Sequence, residues 1–133
     1  MALERANTLN ARLQITLQRI QLQQNQVNRA SSDLESVRGA ISKAEADESQ
    51  TSSELSDVES RLPQEQDPNR QKELQGVQKY MKTKLEQQTH AVQELQGKES
   101  ELATSLQHEQ AKLADLQSRL DTLEKTLEPQ QTQ

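Results

Sequence analysis

The feature that most constrains this chain is a pair of apolar heptad repeats on either side of two closely spaced prolines. Before Pro63, apolar residues recur at alternating spacings of three and four, and after Pro68 the same rhythm resumes. A repeat sustained over this length is typical of a coiled coil rather than of an isolated amphipathic helix. The first repeat consists of Leu3, Ala6, Leu13, Leu17, Ile20, Val27, Leu34, Val37, Ile41, Ala44, Leu55, Val58 and Leu62. The second consists of Leu74, Val77, Met81, Leu85, Val92, Leu95, Leu102, Leu106, Leu113, Leu116, Leu120, Leu123 and Leu127.

Two irregularities interrupt these repeats. Between Leu34 and Val37 the repeat contains one extra spacing of three residues. Such an insertion predicts a stammer, which overwinds a coiled coil locally. Two successive spacings of four lead from Val77 to Met81 and from Met81 to Leu85.

The composition supports an all-α class. Only 30% of the 133 residues are hydrophobic and 1% are aromatic, which is too little for a compact multilayered core. The polar residues are mostly good helix formers, and the chain has three Gly and three Pro.

The prolines predict a turn between two helices. Pro63 disfavours helical geometry at Leu62, whereas Asp67 followed by Pro68 is a typical helix start. We therefore predict one hairpin over residues 1–128, with helix one at about 3–62, a turn at about 63–67 and helix two at about 68–128. Residues 129–133 are expected to fray. A connection this short favours antiparallel neighbours.

One antiparallel register aligns both repeats along their length. In it, residues whose numbers add to about 136 face each other. In this register, the arginines of the first helix are expected to lie across from an acidic segment at 109–128; they are Arg5, Arg12, Arg19 and Arg29. Several positions assigned to the repeats are polar, and we interpret them as fixing the register. They are Asn10, Gln24, Ser31, Glu48, Thr51, Gln88, Glu99 and Glu109, with Glu48 expected opposite Gln88.

A second apolar stripe on helix one predicts association. Ile15 and Leu22 lie seven residues apart and outside the repeat, and Leu9 is assigned to the same outward face. Scattered exposed aliphatics are common, but this regular spacing favours a docked helix, from a second copy or a partner. The expected assembly is a homodimer forming a four-helix bundle, with Leu9, Ile15 and Leu22 at its interface.

Gly39 and Gly97 fall at the same level of the proposed register. Each costs about 1 kcal/mol relative to Ala in a helix interior. They mark a flexible point, a place where another helix approaches closely, or a coincidence of two residues.

Other function classes find little support in the sequence. A two-helix fold offers no enclosed pocket for catalysis, so neither an enzyme nor a cofactor is expected. His90 and His108 are too far apart along one helix to share a metal. The net charge of −5 and the single aromatic argue against nucleic-acid binding. No apolar run predicts a membrane span or signal peptide, and the compartment is left open.

The function predicted from these features is a rod-like spacer or scaffold that binds protein helices. An alternative is a stalk or arm of a larger membrane-anchored protein or coiled-coil ATPase. The outline resembles coiled-coil hairpins in general, such as the arms of seryl-tRNA synthetases and the hairpins of efflux-pump adaptors. This resemblance implies only the architecture.

Overall fold

The computed structural model describes residues 2–127, and this part of the chain is helical with no strand. Helix α1 spans Ala2–Arg61 and helix α2 spans Pro68–Leu127, each with 60 residues. A single 3-10 turn, η1, covers Leu62–Gln64 between them. The long helices pack against each other, which confirms the all-α class and the helical hairpin. The predicted frayed tail at 129–133 lies outside the described residues.

The end of α1 is shaped by Pro63. The pyrrolidine ring fixes the φ angle of Pro63 and removes its N–H donor, so the α-helical hydrogen-bond ladder cannot continue through it. The chain instead tightens into η1, closed by a 3.4 Å hydrogen bond from the Glu65 amide to the Leu62 carbonyl. Glu65 then adopts extended backbone angles, with φ −79° and ψ 122°.

The start of α2 is capped by Asp67. Its Oδ1 accepts a 3.0 Å hydrogen bond from the Asn69 amide, one of the N–H groups that the first helical turn leaves without a partner. Pro68 occupies the first helical position, where its missing N–H costs nothing. The Asp67 amide in turn donates to Glu65 Oε1 at 3.2 Å, so two acidic side chains of the connection accept hydrogen bonds from backbone amides where α2 begins.

The chain divides into two compact units. Unit 1 combines the part of α1 up to Leu34 with the part of α2 from Glu101 onward, and unit 2 comprises Glu35–Ser100 with the turn. The apolar core of unit 1 is thin, since only Ile20 and Leu34 are buried among its described residues. The core of unit 2 is richer and contains Ile41, Leu55, Val58, Val92 and the buried hydroxyl residue Thr51.

The buried and half-buried residues of α1 alternate at spacings of three and four without interruption, and this differs from the predicted repeat. Thr16 lies on the packing face, whereas Leu17 is 46% exposed. Ala30 fills the position before Leu34, so the predicted stammer is absent from the packing pattern. The packed set continues one residue into η1 and is Ala6, Leu9, Leu13, Thr16, Ile20, Gln23, Val27, Ala30, Leu34, Val37, Ile41, Ala44, Glu48, Thr51, Leu55, Val58 and Leu62, with Ser31 beside it.

Helix α2 shows the same correction near its start. Gln78 is half-buried, whereas Val77, which the sequence assigned to the packing face, is 40% exposed. With Gln78 in place of Val77, the two successive spacings of four disappear. The reason is geometric. An uninterrupted 3.5-residue period keeps one face of the helix toward its partner. Burying a more apolar residue one position away would rotate the helix and turn that face away.

Candidate interaction surface

Two aliphatic side chains of α1 stand out from the surface of unit 1. Ile15 is 49% exposed and Leu22 is 65% exposed, and their separation of seven residues puts them on the same side of the helix. The structure differs from the sequence prediction for Leu9. That side chain is half-buried on the packing face, where it lines a groove with Ala6 and Leu127, so it does not continue the outward stripe.

Beside Ile15, an open groove runs between the two helices of unit 1. Its wall on α1 is formed by Arg12, Ile15, Thr16 and Arg19. Its wall on α2 is formed by Ser118, Arg119, Thr122 and Leu123. The groove therefore combines three guanidinium groups with the aliphatic side chains of Ile15 and Leu123, and we call it the arginine groove.

The charges of the arginine groove are only partly compensated. Arg119 pairs with Asp115 of its own helix at 3.1 Å. Among residues 2–127, no carboxylate lies within ion-pair distance of Arg12 or Arg19. The expected pairing of these arginines with the acidic segment of α2 is thus not found within the described chain. A guanidinium carries five N–H donors in a planar fork, so these two groups have free hydrogen-bonding capacity.

A second polar feature of unit 1 is a hydrogen-bonded contact between α1 and α2. The side-chain amide of Gln23 donates to the Glu109 carbonyl at 2.9 Å and to the Glu109 carboxylate at 2.5 Å. The sequence placed Glu109, Gln24 and Asn10 on the packing face; Glu109 is half-buried there, whereas Gln24 and Asn10 are exposed, so those two assignments are wrong. The hydrogen bond from Gln23 lowers the pKa of Glu109, assisted by Lys112 and His108 and opposed by partial burial.

A second polar layer lies in unit 2 around Gln88. Thr51 is only 3% exposed, and both residues line a groove with Asp47, Gln50, Glu54 and Lys84. The Oε1 atom of Gln88 is buried and has no hydrogen-bond partner among the described residues. Glu48 is half-buried, as expected of a packing-face residue, but no hydrogen bond joins it to Gln88 within residues 2–127.

The glycines lie in open surroundings. Gly39 and Gly97 are exposed, lie inside α1 and α2, and both belong to unit 2. A Cβ atom added at either position would meet nothing within 4 Å. No neighbouring helix in the described part of the chain therefore requires a glycine there.

Within residues 2–127, no group of three His, Cys, Asp or Glu side chains converges on a point where an ion could bind. His90 contacts Glu94 of its own helix at 3.1 Å. Neither helix, over the range the structure describes, is apolar enough along its length to cross a membrane.

Comparison with known proteins adds no relative. No family model matches the chain, and no curated protein or solved structure is significantly similar to it.

Proposed function

We propose that the chain is an antiparallel coiled-coil hairpin that works as a non-enzymatic structural and protein-interaction module. Two copies associate side by side through Ile15 and Leu22 into a four-helix arrangement. The observation that carries this proposal is the exposed aliphatic pair on α1 at heptad spacing, bordered by the arginine groove.

Contacts within unit 2 support the antiparallel direction. The connection from Leu62 to Asp67 is short, and short connections join antiparallel neighbours. Arg38 Nε reaches Glu99 Oε2 at 3.3 Å, although both residues are several turns away from that connection. Helix α2 would then run back alongside α1.

Burial energetics support association through the aliphatic pair. Covering the side chain of one Leu or Ile is worth about 1.5–3 kcal/mol when it passes from full exposure to full burial. In a symmetric pair of hairpins, Ile15 and Leu22 contribute from both copies. Ile15 is already half-covered, so the gain is smaller for it than for Leu22.

The proposal is tested by sedimentation equilibrium on the chain and one double variant. The wild type is expected at twice its 15.1 kDa chain mass. Replacing Ile15→Glu and Leu22→Glu together should return it to the single-chain mass with unchanged helicity by circular dichroism, because carboxylates are costly to bury unpaired.

A matched control separates apolar contact from added charge. Gln14→Glu and Gln21→Glu introduce the same two charges at the same spacing on neighbouring exposed positions of α1. These changes should leave the assembly intact. A single-chain mass for the wild type, or an unchanged mass for the Ile15/Leu22 variant, would refute the proposed association.

A further inference from the structure

We propose that the arginine groove binds the acidic edge of α1 from a second copy, formed by Asp47 and Glu54. This inference rests on the proposed self-association and names the surface that the partner copy contributes. The principal contacts are salt bridges from Arg12 to Glu54 and from Arg19 to Asp47.

Both surfaces occupy the same heptad position of α1. Counting in steps of seven, this position is basic near the start of the helix and acidic further along. The residues are Arg5, Arg12, Arg19, Gln26, Asp33, Ala40, Asp47 and Glu54, and the series ends at Arg61. Arg61 pairs with Asp57 of its own helix at 3.2 Å. One edge of a single helix therefore carries two blocks of opposite charge.

Neither block is neutralised by an ion pair among residues 2–127. Arg12 and Arg19 have no carboxylate partner among residues 2–127, as described above. Asp47 has no ion pair in that range either, and Glu54 accepts only a 3.2 Å hydrogen bond from Gln50. Lys84 lines the groove beside both acids, but no ion pair of Lys84 is found in the described part of the chain.

The alternative in which the arginine groove packs on its own copy is electrostatically unfavourable. A two-fold axis near Arg19 would bring the Arg19 side chains of both copies together, with Arg12 of each copy nearby. Like charges at a contact are repulsive, whereas an arginine fork and a carboxylate form strong charge-assisted hydrogen bonds. Opposite blocks of the edge are therefore the complementary surfaces.

The spacing of the two blocks also matches. Arg12 and Arg19 are seven residues apart, as are Asp47 and Glu54, which corresponds to about 10.5 Å along a helix. With the two α1 helices antiparallel, both salt bridges form in one register. Ile15, which lies between the arginines, is then level with residue 51 of the partner and packs on the methylene groups of the exposed neighbour Gln50, one residue away.

A charge-swap experiment tests this inference on the full chain. Variant A carries Arg12→Glu and Arg19→Glu, and variant B carries Asp47→Arg and Glu54→Arg. Because two attractive pairs become repulsive in each contact, each variant alone should dimerise at least about tenfold more weakly than the wild type. An equimolar mixture of A and B should recover twice the chain mass in sedimentation equilibrium, because the four contact positions 12, 19, 47 and 54 are all acidic in A and all basic in B.

The controls distinguish this inference from the proposed function. Arg70→Glu with Lys125→Glu makes the same change in net charge as variant A at exposed positions of α2, and should leave the dimer unchanged. If A and B dimerise as the wild type does, or if mixing them restores nothing, the acidic edge is not the partner surface. In either case self-association through Ile15 and Leu22 still stands. A wild type that sediments as a single chain overturns both proposals.

Discussion

Replacing Gln88 by leucine should stabilise the hairpin, although it removes a polar residue from a largely polar protein. Gln88 Oε1 is buried and has no partner within the described residues, beside the nearly inaccessible Thr51. A buried acceptor without a hydrogen bond costs about 1–3 kcal/mol. Gln88→Leu removes that cost and adds apolar surface to the interface, so the free energy of unfolding should rise by about 1–3 kcal/mol.

The assay is urea denaturation followed by circular dichroism at one fixed protein concentration. The concentration is fixed because self-association makes the midpoint concentration-dependent. The transition midpoint should move to higher urea with an unchanged slope, since the surface exposed on unfolding is nearly the same.

The matched control is Gln87→Leu, which makes the same chemical change at the exposed neighbouring position. Both substitutions alter helix propensity equally, so their difference isolates the effect of the buried site. The control should change stability by no more than about 0.5 kcal/mol. If Gln88→Leu is no more stable than Gln87→Leu, or less stable than the wild type, the buried amide is not a source of instability.

Two further predictions concern the two glycines and the contact between Gln23 and Glu109. Gly39→Ala and Gly97→Ala should each raise the free energy of unfolding by about 1 kcal/mol in the same assay, because alanine costs less entropy in a helix and meets nothing within 4 Å; an unchanged or lower midpoint would show that the glycines are needed. The carboxyl pKa of Glu109, followed by carbon NMR, should lie below its ordinary value of 4.5 and rise in Gln23→Ala. Since this pKa is lowered by folding, the contact stabilises the hairpin above pH 4.5 and its contribution is lost as the pH falls through the lowered pKa. An ordinary pKa for Glu109 in the wild type would contradict that contact.

The helical class could be predicted because composition and periodicity agree. A chain with three glycines and three prolines, few aromatics and two long heptad repeats has few ways to bury its aliphatic residues except between helices. The structure accordingly contains two helices of 60 residues that pack against each other.

The detail of the packing face was predicted less well, for one recurrent reason. The sequence repeat was built from the most apolar residues, so it included Leu17 and Val77 and left out Thr16 and Gln78. In the structure, the regular spacing of three and four along the helix decides which residues face the partner helix, even where a neighbouring residue is more hydrophobic. A strict count in steps of three and four from Ile20 would have found Thr16 and Gln23, and with them the inward position of Leu9.

The charge pattern was misjudged for a different reason. Arginines opposite acidic segments were expected to pair, but only Arg38 forms a cross-helix ion pair among the described residues. Exposed ion pairs contribute about 0–1 kcal/mol and are easily replaced by solvation, so a sequence register does not determine which of them form. The unpaired Arg12 and Arg19 become evident only once side-chain positions are known.

The most direct test of this account is the mass of the unmodified chain in solution. Sedimentation equilibrium over a range of concentrations should approach twice the 15.1 kDa chain mass, and the mass should fall toward that of one chain as salt screens the arginine groove. A mass of 15.1 kDa at every concentration would contradict the account, since the exposed aliphatic pair and the arginine groove would then have no partner copy.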